Sequence, residues 1–516
     1  MASLPFLVPL HTTPIPSFWA EWLAAALGLA AAGALIGARR LPVPGAGLLA
    51  MGFAGIALAQ NAFGLAAVPQ LATLFALYLV WAAMLACTGR LMAEQLGVAL
   101  LVRVLASAIL VGALLAALLG FAQPWLAPLG WPGYPLRSGG PLGQGNHLNI
   151  YLWLGLASAL YLHVAGRLPR AAFWSAAVVL ALAAVLVGQR SAFLYAVALV
   201  AVAAWRWRDD GPGTSDGRRL ALGIGLLFVL LQPLGTLLPT GSGGAAAPPA
   251  MRAMTELKGP SIRLQLLDLG YRAIAASPLA GAGIGAYPGL AYKHADSIEP
   301  ADNPGPAEHA HNLLVDIAAE LGVPAAMLLA VAAVLWLRRL PQRASSAEAG
   351  WAAAVVGMLA LHSMIEYPLW HTYFLGPLAF AAGAFGRERR FGGRASAAVL
   401  AGALVASGAL TLHELRRDYV RLELALAKGI PQPGAKAALL GIPQASLLAP
   451  WVQTTACVSL DPAKVPLGDG FAVCEAAMRF APTPEAGANM AALLRRAEKE
   501  NEACDLLRWI ARASKR

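Results

Sequence analysis

Charge is what this chain has least of. Only 13% of its 516 residues are Asp, Glu, Lys or Arg, while 58% are hydrophobic and mean hydropathy is +0.62. A water-soluble protein carries about 25% charged residues, so a soluble globular class is excluded. Cysteine is scarce too. Cys87, Cys457, Cys474 and Cys504 fit no metal-ligand spacing such as CxxC. Also missing are a Gly-rich P-loop, an HExxH helix and an outward-facing DxD pair, so the sequence offers nothing for nucleotide or metal and no cofactor is expected. Asp209–Asp210 reads as a solvated turn. The opening MASLPFLVPLHTTPIPS has no basic n-region, so no cleaved signal peptide is read. A net charge of +11 would suit nucleic acid, but the Lys and Arg sit in short clusters between apolar runs. That is how topology signals are distributed, and no nucleic-acid partner is expected.

What fills the chain is a series of apolar runs, each long enough to cross a hydrocarbon core of about 30 Å. Twelve spans are expected, at roughly 17–37, 41–60, 68–88, 97–120, 147–165, 171–188, 191–207, 219–239, 312–337, 350–365, 368–386 and 396–413. The reading is an all-α, polytopic membrane protein. Arginine alternates between the loops. Arg39–Arg40, Arg90, Arg167 and Arg170, the group Arg206, Arg208, Arg218 and Arg219, then Arg338, Arg339 and Arg343, and finally Arg387, Arg389, Arg390 and Arg394 all fall in odd-numbered loops. The short even-numbered loops hold Arg137 and Arg190 only. Positive loops stay in the cytoplasm, so the even loops and both termini face outward.

Residues 1–413 form the membrane domain, with one long loop at about 240–310 that opens on the flexible run TGSGGAAAPPA. Residues 414–516 lose membrane hydropathy and read as a soluble helical region. Its CEAAMRFAPTPEAGANMAALLRRAEKENEACDLLRWIARA stretch is expected to give two helices about Pro482 and Pro484, much like one tetratricopeptide hairpin. Were the tail outside, Cys457 and Cys474 could pair, although three tail cysteines leave the pairing open.

Polar residues gather on the outward side in five places. PLGQGNHLNIYLWLG carries Gln144, Asn146, His147 and Asn149; VGQRSAF carries Gln189 and Arg190. The long loop supplies Arg263, Gln265, Asp268 and Arg272. HAHN places His309, His311 and Asn312 at the head of the ninth span, and LHSMIEYPLWHTYFLGP carries His362, Glu366, Tyr367, His371 and Tyr373. Each has an ordinary reading. Arg190 can snorkel to headgroups, Asn146 or the HAHN histidines can cap a helix, and Glu366 can satisfy a broken one. Five clusters on one face are better explained by a polar chamber, because ionisable groups at membrane depth are costly and line cavities. Arginine forks suit phosphate oxygens, and a neutral imidazole can take a hydroxyl proton near pH 7. The donor must then arrive already activated, as a lipid-linked diphosphate sugar does.

At these residues the sequence resembles the O-antigen ligase/polymerase/O-oligosaccharyltransferase superfamily of bacterial inner-membrane enzymes. HAHNLLVDIAAELG (309–322) looks like that family's HxHN…ELG stretch, with Ala325 a mild departure. HSMIEYPLWHTYFLGPLAFAAG (362–383) and GQGNHLNIYLWLG (143–155, with Gly145 atypical) are similar to the PglL-type protein O-oligosaccharyltransferases, and SPLAGAGIGAY (277–287) completes the set. The resemblance implies metal- and ATP-independent transfer of a glycan from undecaprenyl diphosphate in the periplasm. The acceptor would be Ser or Thr of a pilin-like protein, or the lipid A core in ligases. On that basis Arg190 and Arg263 are expected to hold the diphosphate, with Arg272 in reserve. His311 is expected to activate the acceptor, oriented by Asn312 or Glu366, while Gln144, Asn146, His147, His309 and Tyr367 line the substrates. The rivals are a ligase, an O-antigen polymerase and a lipid or glycan transporter. A transporter would need mid-membrane charge and access from both faces, and mid-span charges such as Arg103 are few.

Overall fold

The computed structural model describes residues 2–207, 214–237, 249, 262–294, 307–340, 346–429 and 432–513. Asp209–Asp210, Arg208, Arg343 and all of TGSGGAAAPPA but Pro249 lie outside them. The chain is an all-α, polytopic membrane protein. Its helices are α1 (Phe18–Ala32), α2 (Gly45–Ala62), α3 (Pro69–Leu96), α4 (Val98–Leu126), α5 (Gly145–Val164), α6 (Arg170–Val187), α7 (Ser191–Arg206), α8 (Thr214–Leu230) and α9 (Leu234–Leu237). There follow α10 (Ile262–Ala276), α11 (Tyr287–Lys293), α12 (Leu313–Leu321), α13 (Val323–Arg339), α14 (Ser346–Ser363), α15 (Thr372–Ala384) and α16 (Arg394–Lys428). The tail adds α17 (Pro433–Leu440), α18 (Ala449–Ser459), α19 (Leu467–Phe480), α20 (Pro484–Arg496) and α21 (Glu500–Ala513).

Every expected span contains a helix, but several differ from the reading. Among the described residues seven helical stretches are long and apolar enough to cross a membrane, and α7 and α15 are shorter apolar helices. The second span begins with an extended segment, Leu41–Pro44, because two prolines suit an edge strand. The ninth is broken into α12 and α13 at Gly322, whose φ of 92° ends the first helix. The last runs on as α16 to Lys428, since its polar continuation keeps helix-forming residues after hydropathy falls. At 35 residues it is about 50 Å long, well beyond the hydrocarbon core.

The chain forms two compact units. The first combines Met1–Leu48, Trp81–Gly259 and Ala333–Ala409. Its centre is α5, buried at every residue from His147 to Leu162. Small residues let its neighbours close in: a Cβ at Gly155 would lie 2.6 Å from the Ala113 Cβ of α4 and 3.2 Å from Leu180 of α6. At one end, strand β1 (Leu41–Pro44) pairs antiparallel with β2 (Glu388–Phe391), Val43 opposite Arg389. Arg90 of α3 joins them, 2.7 Å from Glu388 and 3.2 Å from Glu94. Three odd-numbered arginine loops thus share one end of this unit, as the arginine alternation requires.

The second unit combines Leu49–Val80, Pro260–Ala332 and Leu410–Arg516. One core joins Phe53 and Ala57 of α2, Ala72 and Ala76 of α3, and Ile317 and Leu321 of α12. A second packs Leu266 and Leu269 of α10 and Leu290 of α11 against Val315 and Ala319 of α12. In the tail, Cys457 of α18 and Cys474 of α19 form a buried disulfide, while Cys504 is exposed and free. The stretch expected to hold two helices about Pro482 and Pro484 holds three: α19, α20 and α21. Glu498 takes a left-handed φ of 60° between the last two.

Candidate functional site

In the first unit the head of α5 organises the polar residues. Gln144 caps the helix, its Oε1 accepting the His147 N–H at 2.6 Å, because its extended backbone turns the amide over the first turn. Asn146, weighed as the cap, is instead free to reach across. Its Nδ2 donates to Glu366 Oε1 at 2.6 Å. Glu366 is buried in the broken segment between α14 and α15, where Pro368 prevents a continuous helix. His147 Nδ1 lies 2.9 Å from the Tyr373 hydroxyl, and its ring centre is 4.7 Å from that of His371. His371 Nδ1 is in turn 3.1 Å from Glu21 Oε1 of α1, which also accepts the Ser17 hydroxyl at 2.6 Å. Tyr367 lies near-parallel to His371, ring centres 6.0 Å apart, and His362 Nδ1 is 2.6 Å from the Tyr195 hydroxyl.

Arg190 is exposed at the start of α7. The turn it occupies adjoins the head of α5. A Cβ at Gly145 would stand 2.7 Å from Gln189 Nε2, and Asn149 Nδ2 donates to Ser191 Oγ at 3.0 Å. This first-unit group therefore joins Gln144, Asn146, His147, Glu366 and Tyr367, with Arg190 on the neighbouring turn. It lies at the Thr372 end of α15, whereas the arginine end lies beyond Ala384. Thirteen residues of helix separate the two by about 20 Å.

The remaining predicted residues belong to the second unit, around the start of α12. Asn312 is its cap, the side-chain oxygen accepting the N–H groups of Leu314 and Val315, both at 3.2 Å. The residue before it, His311, has φ 56°, a left-handed conformation that costs an L-residue about 1–2 kcal/mol. Such strain persists only where surroundings over-determine it, and it concentrates at functional sites. His309 Nδ1 lies 3.8 Å from Asp316 Oδ2. Arg263 and Arg272 are partly buried on α10, and Arg272 pairs with Asp268 of the same helix at 2.7 Å. His294, just past α11, is held below its ordinary value by burial first, then by Arg272 and Lys293.

The glycines of SPLAGAGIGAY are explained by Glu320. Its Oε1 accepts the N–H of Gly285 at 3.1 Å and of Tyr287 at 3.3 Å, and Gln60 Nε2 donates to its carbonyl at 2.9 Å. Gly281, Gly283 and Gly285 all take positive φ so that the loop can wrap the end of α12. Tyr287 donates its hydroxyl to the Leu266 carbonyl and fixes α10 beside α11. Among the described residues no group of three His, Cys, Asp or Glu is arranged to hold a metal ion.

Three residues that sequence reasoning passed over stand in these networks: Glu21, Gln60 and Asp316. The first and last carried a signal, an acid inside an apolar run. Gln60 carried none.

Residues 175–330 match the O-antigen ligase family, and residues 350–513 match the C-terminal region of the virulence factor membrane-bound polymerase family. The chain is also 27% identical over 404 residues to the general O-oligosaccharyltransferase of Acinetobacter baylyi, spanning 74% of this chain and 68% of that protein. Both HAHN and the α10 arginines fall within the first match, and the Glu366 segment falls within the second. Two stretches of the chain are therefore similar to the O-antigen ligase and membrane-bound polymerase families, and over most of its length it resembles a general O-oligosaccharyltransferase.

Proposed function

We propose that the chain is a protein O-oligosaccharyltransferase, moving a glycan en bloc from undecaprenyl diphosphate to serine or threonine hydroxyls of periplasmic or pilin-like proteins. One observation carries the reading: His311, an imidazole on strained backbone at the head of α12, within the O-antigen ligase match. His311 takes the proton of the acceptor hydroxyl as its oxygen attacks the anomeric carbon. The bond to the diphosphate breaks, and Arg263, in the same unit as His311, holds the charge that grows on the leaving group, with Arg272 in reserve. Gln144, Asn146, His147, His309, Asn312, Glu366 and Tyr367 line or orient the substrates. No cofactor or metal enters the reaction. The tail serves as a helical platform for the protein acceptor.

The same reading puts the protein in the bacterial inner membrane with its reaction on the periplasmic side. Two features support that orientation: the shared arginine end of the first unit, and a tail disulfide suited to an oxidising compartment. A second reading, transfer to the lipid A core, is favoured by the ligase family match and differs only in acceptor.

The test is to express the chain, and His311→Ala beside it, in bacteria that accumulate undecaprenyl-diphosphate glycan but lack their own ligase, with a pilin supplied. Glycan on pilin serine or threonine, lost in the variant, is the expected result. Glycan on the lipid A core would make the chain a ligase. Wild-type turnover in the variant would remove His311 from its role.

A further inference from the structure

The His311 backbone is strained, so something must hold it, and the nearest structure shows what does. Asp316 lies one turn into α12 and is only 2% exposed. Its Oδ1 accepts the N–H of Ala310 at 2.6 Å, the residue before His311. Its Oδ2 lies 3.8 Å from Nδ1 of His309, the residue before that. One buried carboxylate thus addresses both residues that lead into His311, while Asn312 fixes the residue that follows by capping the helix. Rotation about the His311 φ would have to break these contacts. Ala310 is itself fully buried in the α10–α11–α12 core, which leaves its amide no solvent to turn to.

A carboxylate at this point is not needed for packing. Its neighbours in the helix, Val315, Ile317 and Ala319, fill the cores on either side. Burying an acid is costly unless it is hydrogen-bonded, so its presence asks for a task. We infer that Asp316 is a positioning residue: through the Ala310 amide and the His309 imidazole it locks the left-handed turn that presents His311. It touches no reacting atom. Whatever it contributes reaches the chemistry through His311, and the inference rests on the proposed role of that histidine.

Two variants separate geometry from charge. Asp316→Asn keeps an oxygen for the Ala310 amide, and Asp316→Ala removes it. In the glycan-transfer assay Asp316→Ala is expected to lower kcat by about 100-fold, the effect of a catalytic group misplaced by about 1 Å. Donor KM should stay near wild type, and Asp316→Asn should restore most of kcat. A second readout needs no activity. The rate at which diethyl pyrocarbonate modifies His311, followed by mass spectrometry on the intact protein in detergent, should change several-fold in Asp316→Ala and not in Asp316→Asn. Equal His311 modification rates in all three proteins would overturn the inference, as would wild-type kcat in Asp316→Ala. A uniform loss in both variants with weakened donor KM would also overturn it, marking Asp316 as merely structural. If wild type transfers no glycan but the modification pattern holds, the functional reading fails and the positioning role stands.

Discussion

Glycine does opposite work at two positions eight residues apart. Gly281 stands at φ 73°, and a Cβ there would meet the Glu320 carbonyl carbon and oxygen at 2.3 Å, backbone atoms that cannot swing away. Gly281→Ala should therefore destabilise the protein by at least about 2 kcal/mol, from the left-handed penalty plus the clash. Gly289, inside α11, has nothing within 4 Å of its would-be Cβ. Gly289→Ala should stabilise by about 1 kcal/mol through helix propensity. Thermal unfolding in detergent checks both signs. At this scale the sequence showed that His311, Glu366 and Arg190 were unusual, because polar residues stand out against an apolar background. It could not show their partners. Glu21 lies 350 residues from His371 and Asn146 lies 220 from Glu366, and nothing local records such pairings.

Elements were legible wherever hydropathy and helix ends coincide, and misread wherever they part. α16 was cut short because a span ends at its last apolar residue, whereas a helix ends only when its backbone turns. The tail shows the converse. The break between α20 and α21 contains neither Gly nor Pro, and the turn is made by Glu498 at φ 60°, closed by the Lys499 N–H bonding to the Leu494 carbonyl at 2.9 Å. This is a position that favours glycine. Glu498→Gly is thus expected to raise tail stability by about 1 kcal/mol, the left-handed cost less glycine's entropy. Chemical denaturation followed by tryptophan fluorescence would register it through Trp509 of α21. An unchanged or lowered midpoint would mean that the turn is paid for elsewhere.

For the whole molecule, the arginine end of the first unit makes a pH-dependent contribution. The Glu388 carboxyl is held below its ordinary value of 4.5: burial alone would raise it, but Arg90, and further off Arg390, reverse the sign. A carboxyl depressed on folding stabilises above its unfolded value, and that stability is lost as pH falls through the folded one. Arg90→Gln should accordingly lower the melting temperature at about pH 7, and the gap from wild type should close below about pH 4. A gap that persists in acid would assign the role of Arg90 to its bond with the Ala384 carbonyl instead. Membrane character and the O-antigen ligase likeness were readable from composition and motifs. The division into two units was not, because each unit is stitched from stretches far apart in the chain.

That stitching sets a timetable for biosynthesis. The second unit draws on residues 49–80, 260–332 and 410–516, and α11 packs against α19, which the Cys457–Cys474 bond ties to α18. A ribosome that has reached residue 400 has already made the whole HAHN turn, with α10 and α12 beside α11, but not α19, the tail helix that also packs on α11. The unit is finished only after the tail has emerged and its cysteines have met an oxidant. Cells lacking thiol oxidation should then accumulate a chain inserted in the membrane yet incomplete around its own histidines.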